Sequence, residues 1–187
     1  MKRQISIKAC AKINLGLDVI GLREDGYHQV KMILQSLMLH DELTFQEADE
    51  GIVLTTDSGE LPTDKENLIY KAAALLMESR GVRRGVRIHL AKRIPVAAGM
   101  AGGSSDAAAA MKGICELFHL KIPLKELMDA AVSIGADVPY CLMGGAALAE
   151  GIGERLTALP PLPDCHSGGK TRSVCLHKIC LPASGRH

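Results

Sequence analysis

Tryptophan is absent from this chain, and Phe and Tyr together make up 3% of its 187 residues. The core must therefore be aliphatic and alanine-rich, and an RNA-binding surface of stacked aromatic rings is disfavoured. An excess of either charge is also lacking. The formal net charge of +1 argues against non-specific nucleic-acid binding and against a basic membrane patch. No apolar run reaches the roughly 18 residues of a membrane-spanning helix. The opening residues, Met-Lys-Arg-Gln-Ile-Ser-Ile, lack the apolar core of a signal peptide, so the cytoplasm is the expected compartment. No C-x-x-C pair occurs among the six cysteines. Cys10, Cys115 and Cys141 lie among apolar residues and read as small buried hydrophobes. Cys165, Cys175 and Cys180 cluster near His166 and His177 without metal-type spacing. No metal ligands are assigned, and disulfides are not expected.

Two familiar phosphate signatures are missing as well. No G-x-x-x-x-G-K-[ST] loop exists: Gly169-Lys170-Thr171 resembles its end, but the required first glycine falls on Asp164. The G-x-G opening of a dinucleotide fingerprint is absent, and no βαβ unit is expected around the one glycine-rich segment. That segment, residues 94–106, reads I-P-V-A-A-G-M-A-G-G-S-S-D and runs into a small-residue helix, A-A-A-A-M-K-G-I-C. Gly99, Gly102 and Gly103 let the backbone turn tightly and approach a ligand. The first amides of the following helix have no intrahelical acceptor and carry partial positive charge. With the hydroxyls of Ser104 and Ser105, they form a cradle suited to phosphate.

The rest of the chain fits one domain with a sizeable core. Residues 3–9 and 12–20 alternate as half-buried strands, and residues 21–28 break the pattern as a loop. Two strand-like runs fill residues 29–47, and residues 52–56 form another. A helix starts near residues 64–67 and stops at Gly81, and a clear strand occupies residues 86–93. The helix after Ser104 should reach about His119, Pro123 opens another that closes at Gly135, and strands follow at residues 144–151 and 155–159. The expected class is α+β, with helices packed on one face of a mainly antiparallel sheet. Lys12 and Asn14 share one face of their strand.

The segment 95–105 resembles the phosphate loop of the GHMP kinases, whose pattern P-x-x-x-G-L-G-S/G-S-S/A is met by Pro95, Gly99 and Gly102 to Ser105. Met100 stands for the usual Leu and Ala101 for a usual Gly. The stretch A-K-I-N-L-G-L-D-V-I-G-L-R-E-D-G-Y-H resembles one branch of that superfamily, the 4-diphosphocytidyl-2-C-methyl-D-erythritol kinases, through Gly21, Arg23, Asp25, Gly26, Tyr27 and His28. Together with the segment I-G-A-D-V-P, the likeness covers about residues 5–165.

The resemblance implies a GHMP-kinase N-terminal domain over residues 1–165 that phosphorylates the 2-hydroxyl of 4-diphosphocytidyl-2-C-methyl-D-erythritol with ATP. Lys12 would contact the reacting hydroxyl and the transferred phosphate, with Asn14 helping to place that group. Asp137 would be the general base; as an ordinary residue it would cap the short helix that follows. Tyr27 would stack on the cytidine, and His28 would hydrogen-bond its base edge. Residues 95–105, Met100 and Ala101 included, would hold the ATP phosphates, with Asn67 and Lys92 near the nucleotide. Mg2+ is expected with the triphosphate, held mostly by phosphates and water. The partner is a small molecule; no nucleic acid or membrane is expected, and oligomeric state is left open. Another GHMP small-molecule kinase and an inactive nucleotide-binding remnant remain alternatives.

From Pro160 onward the periodicity stops, and residues 166–187 form an atypical tail. Back-translation of residues 167–180 with freely chosen synonymous codons, read one nucleotide later, allows V-V-V-K-P-D-L-S-V-Y-T-K-Y-V, a β-run and helix start. The expectation is a frameshift after about His166, with the second half of the family fold missing, an uncovered face on the core, and impaired activity. The coding DNA tests this.

Overall fold

The computed structural model describes residues 3–22, Gly26 and residues 28–160. Tyr27 and the tail from residue 161, with the expected frameshift, lie outside the described residues. The two amino-terminal runs form one strand, β1 (Gln4–Leu22), and the next two form another, β2 (His28–Ala48). The pair zips antiparallel from Gln4 opposite Gln46 to Leu22 opposite His28. Irregularities in the ladder, not a loop, separate the runs. Between the pairs Cys10–His40 and Lys12–Ser36, β2 advances four residues while β1 advances two. Single shifts follow between Asn14 and Gly16 and between Val19 and Gly21. Such bulges bend a strand and re-aim its side chains.

β3 (Ile52–Thr56), α1 (Leu68–Ser79) and β4 (Gly85–Ala91) come next, and β3 pairs parallel with β4. This is a βαβ unit, and it lies ahead of the glycine-rich segment, around which none was expected. α2 (Gly102–Leu117), α3 (Leu124–Ala131), α4 (Val138–Met143), β5 (Ala146–Gly151) and β6 (Arg155–Leu159) complete the described chain. The sheet runs β3-β4-β2-β5-β6, with β1 along the other side of β2. All pairs but β3–β4 are antiparallel, as the α+β reading expects.

Alternation sets the core face. In β4, Val86, Ile88 and Leu90 point in while Arg87 and His89 point out. α2 buries ten residues, including all four of Ala107 to Ala110. Such a helix belongs inside a layer, not on its surface. Small side chains let it sit close: a Cβ on Gly113 would lie 2.3 Å from the Phe45 ring of β2.

The outer half of β1 departs from the reading of residues 12–20 as half-buried. Leu15, Leu17, Val19, Ile20 and Leu22 are all exposed, Leu22 by 69%. The strand forms because β2 pairs with it, but among the described residues no layer covers it there. By contrast, the exposed face of the inner half of the sheet carries polar pairs, Thr55 of β3 with His89 of β4 and Ser6 of β1 with Glu42 of β2. The cysteines also differ from expectation: Cys10 is exposed, and Cys115 and Cys141 are only partly buried. No helix among the described residues is long and apolar enough to cross a membrane.

Candidate active site

Strand β4 delivers the chain into residues 92–101, and α2 begins at Gly102, inside the glycine run. The turn into the helix requires left-handed backbone at Gly99 (φ 71°) and at Ala101 (φ 54°). A residue with a Cβ pays roughly 1–2 kcal/mol in that region, so Ala101 is strained. Intrahelical bonding starts with the Ser105 amide donating to the Ala101 carbonyl at 2.8 Å. The amides of Gly102, Gly103 and Ser104 precede that bond and have no intrahelical acceptor. They border a cleft of about 490 Å³ lined by residues 95–104 together with Asn67, Lys92, Asp106 and Asp137.

β1 is stitched to this loop at its first bulge. The Lys12 amide donates to the Met100 carbonyl at 3.0 Å, and the Ser105 hydroxyl donates to the Cys10 carbonyl at 2.6 Å. Both bonds fix the Lys12 side chain beside the loop. That side chain is 9% exposed, and its ammonium lies 3.5 Å from Asp137 Oδ2 and donates to Asn14 Oδ1 at 3.0 Å. Asp137 stands at the start of α4, 40% exposed. It makes no side-chain cap hydrogen bond, so capping does not account for it. Thus Asp137 and residues 95–104 line one cleft, and Lys12, with Asn14 beside it, joins them through Asp137 and the Met100 carbonyl.

Other expected residues fall differently. Ser105 is buried with its hydroxyl turned to β1, and it lines a separate cavity of about 260 Å³ with Tyr140 and Cys141. Its role here is to dock α2. Asn67 lines the cleft, but its side chain caps α1, accepting from the Ile69 amide at 2.8 Å and donating to the Pro62 carbonyl at 2.7 Å. Lys92 is drawn inward by two carboxylates, Asp41 at 2.5 Å and Asp106 at 3.1 Å. His28 begins β2, eight residues from Ser36, the partner of Lys12. At about 3.3 Å per residue it lies well along the hairpin from the Lys12 cluster.

Sequence reasoning missed Asp41 and Asp106. Asp106 carried a signal: it is the one acid in a run of small apolar helix residues. Asp41, in H-D-E-L, carried none. Burial pushes Asp106 up to about 7, with the Lys92 ammonium opposing the shift. It also pushes the Cys141 thiol up to about 12, which leaves it unreactive at neutral pH. Among the described residues no group of three or more His, Cys, Asp or Glu could hold a metal ion.

Residues 67–145 match the family described as GHMP kinases N terminal domain. A 4-diphosphocytidyl-2-C-methyl-D-erythritol kinase of Lachnospira eligens is 55% identical over 163 residues, covering 87% of this chain and 57% of its own length. The chain belongs to the GHMP kinases. Another relative of that name, from Acetivibrio thermocellus, is 55% identical over 156 residues, 83% of this chain and 55% of the relative. The crystal structure of a 4-(cytidine 5'-diphospho)-2C-methyl-D-erythritol kinase superposes with a TM-score of 0.74 at 41% identity, over 83% of this chain and 55% of the other. A homoserine kinase from Cytophaga hutchinsonii, 24% identical with a TM-score of 0.67 over 86% of this chain and 53% of the other, shares the GHMP fold. The chain spans a little over half the length of the curated relatives it matches.

Proposed function

We propose that this chain supplies the nucleotide- and hydroxyl-binding half of an ATP-dependent small-molecule kinase. The proposed acceptor is the 2-hydroxyl of 4-diphosphocytidyl-2-C-methyl-D-erythritol. One observation carries the reading: the Lys12 ammonium sits 3.5 Å from Asp137 Oδ2, and Asp137 lines the same cleft as the Gly102 to Ser104 amides. Phosphoryl transfer asks mainly for positioning and charge neutralisation. The loop amides hold the phosphates. Asp137 takes the hydroxyl proton as the hydroxyl oxygen bonds to the terminal phosphorus and the bond to ADP breaks. Lys12 balances charge on the transferred group, and Asn14 fixes the Lys12 ammonium. The donors fit a triphosphate. The acids at the cleft are each engaged by a lysine, so Mg2+ would ride on the phosphates and water, neutralising their charge. Tyr27 and His28 are the proposed cytidine contacts, and a substrate that reached them would run along the hairpin.

The test is ADP production with the cytidyl substrate against mevalonate. Faster turnover of the cytidyl substrate supports the reading; equal or greater turnover of mevalonate refutes it. Because Leu15 to Leu22 present uncovered apolar surface, the 187-residue chain alone should turn over slowly.

A further inference from the structure

Behind the cleft lies a charge imbalance that the proposed transfer does not use. Lys92, just past β4, donates to Asp41 of β2 at 2.5 Å and to Asp106 of α2 at 3.1 Å. The three side chains are 8%, 0% and 3% exposed. One buried ammonium therefore faces two carboxyl groups. Asp41 is well served: its Oδ1 accepts from the Arg93 amide at 2.5 Å and the Ile94 amide at 2.7 Å. Asp106 receives only the ammonium, on Oδ2, while its Oδ1 is buried with no hydrogen-bond partner. A carboxylate oxygen buried without a donor favours the protonated acid. Asp106 is therefore built to titrate, and burial pushes it up to about 7.

The cluster abuts the phosphate loop. Lys92 and Asp106 both line the cleft, and a Cβ on Gly102 would come within 2.9 Å of Lys92 Nζ. Asp137 at the start of α4 also lines the cleft and is paired with Lys12 of β1. Burial, the Asp137 charge and the Asp106 charge all keep the Cys141 thiol of α4 neutral.

We propose that Asp106 is a proton-linked positioning residue of the nucleotide cleft: it takes up one proton from solvent on its bare Oδ1 as a nucleoside triphosphate binds, and releases it as the nucleotide leaves. This deepens the kinase reading and rests on it. A triphosphate brings several negative charges beside a cluster that already carries an excess negative charge. Protonation leaves Asp41 and Lys92 as a balanced pair and lowers the repulsion. Linkage is reciprocal, so phosphates raise the proton affinity of Asp106 and its proton raises theirs. The sign follows: affinity is full where Asp106 is already neutral and falls as pH rises through its titration.

The experiment is calorimetry of Mg-ATP binding to the 187-residue chain in buffers of different protonation heat, from about pH 6.5 to 9. Expected is uptake of a fraction of a proton per nucleotide, largest between about pH 7 and 8, and an affinity about tenfold weaker at high pH for each unit of linked shift. Asp106→Asn, neutral at every pH, should bind without uptake and with a flat pH profile. Binding by the parent with no proton uptake overturns the inference and leaves the kinase reading standing. Uptake that persists in Asp106→Asn places the proton elsewhere and also overturns it. Should that variant not fold, a flat profile in the parent alone is enough to reject the idea. Absence of any Mg-ATP binding overturns both readings.

Discussion

The inner and outer halves of the β1–β2 hairpin are made from the same two strands and differ in what lies against them. Inside, α2 covers the sheet: Ala9, Ala11, Leu43 and Phe45 are all but inaccessible. Outside, Leu17, Val19 and Ile20 are each more than half exposed. Alternation along a strand fixes which residues share a face, but a face is buried only where a second layer reaches it. The proposed chemistry sits at the junction. Lys12 is the residue where the ladder shifts and where the glycine-rich loop is tied on.

The sharpest way to break the comparison is at that junction. In a form of the enzyme with measurable turnover, Asp137→Asn should lower kcat by about 10²–10⁴-fold and spare nucleotide affinity. Steady-state kinetics with an ATP-binding titration checks this, and near-normal kcat would refute the base assignment. The next largest effect probes packing. Gly113→Ala drives a methyl into the buried Phe45 ring and should cost about 1–3 kcal/mol in denaturant unfolding. Ala101→Gly removes the left-handed strain at the head of α2 and should raise stability by about 0.5–1 kcal/mol on the same measurement. The smallest effect belongs to the outer half. A Cβ on Gly16 meets nothing within 4 Å, so Gly16→Ala should change stability by less than about 0.5 kcal/mol. A cost at Gly16 matching that at Gly113 would mean that the outer half is covered too.

The glycine-rich turn into α2, the shared face of Lys12 and Asn14, and the β4 pattern were legible because each is written locally, in glycines, parity and alternation. The helix order and the largely antiparallel sheet followed from the same periodicities. What was not legible depends on partners far apart in the chain. Lys92 looks like a free cation until Asp41, 51 residues before it, folds against it. Ser105 reads as a phosphate hydroxyl until the Cys10 carbonyl, 95 residues away, accepts its hydrogen bond. The bulge at Ala11 shows in the sequence only as a break between two alternating runs, which does not tell a bulge from a loop, so one long strand read as two. The exposure of Cys10 likewise depends on which face the register assigns.

The central claim is that bare amides at the head of α2 hold a nucleotide's phosphates beside Lys12 and Asp137. An amide proton–nitrogen spectrum recorded while Mg-ATP is added tests it most directly. The account predicts that the largest shifts fall on Gly99, Gly102, Gly103 and Ser104, with Lys12 close behind. Nucleotide binding that leaves those signals in place and moves residues on another face would contradict it.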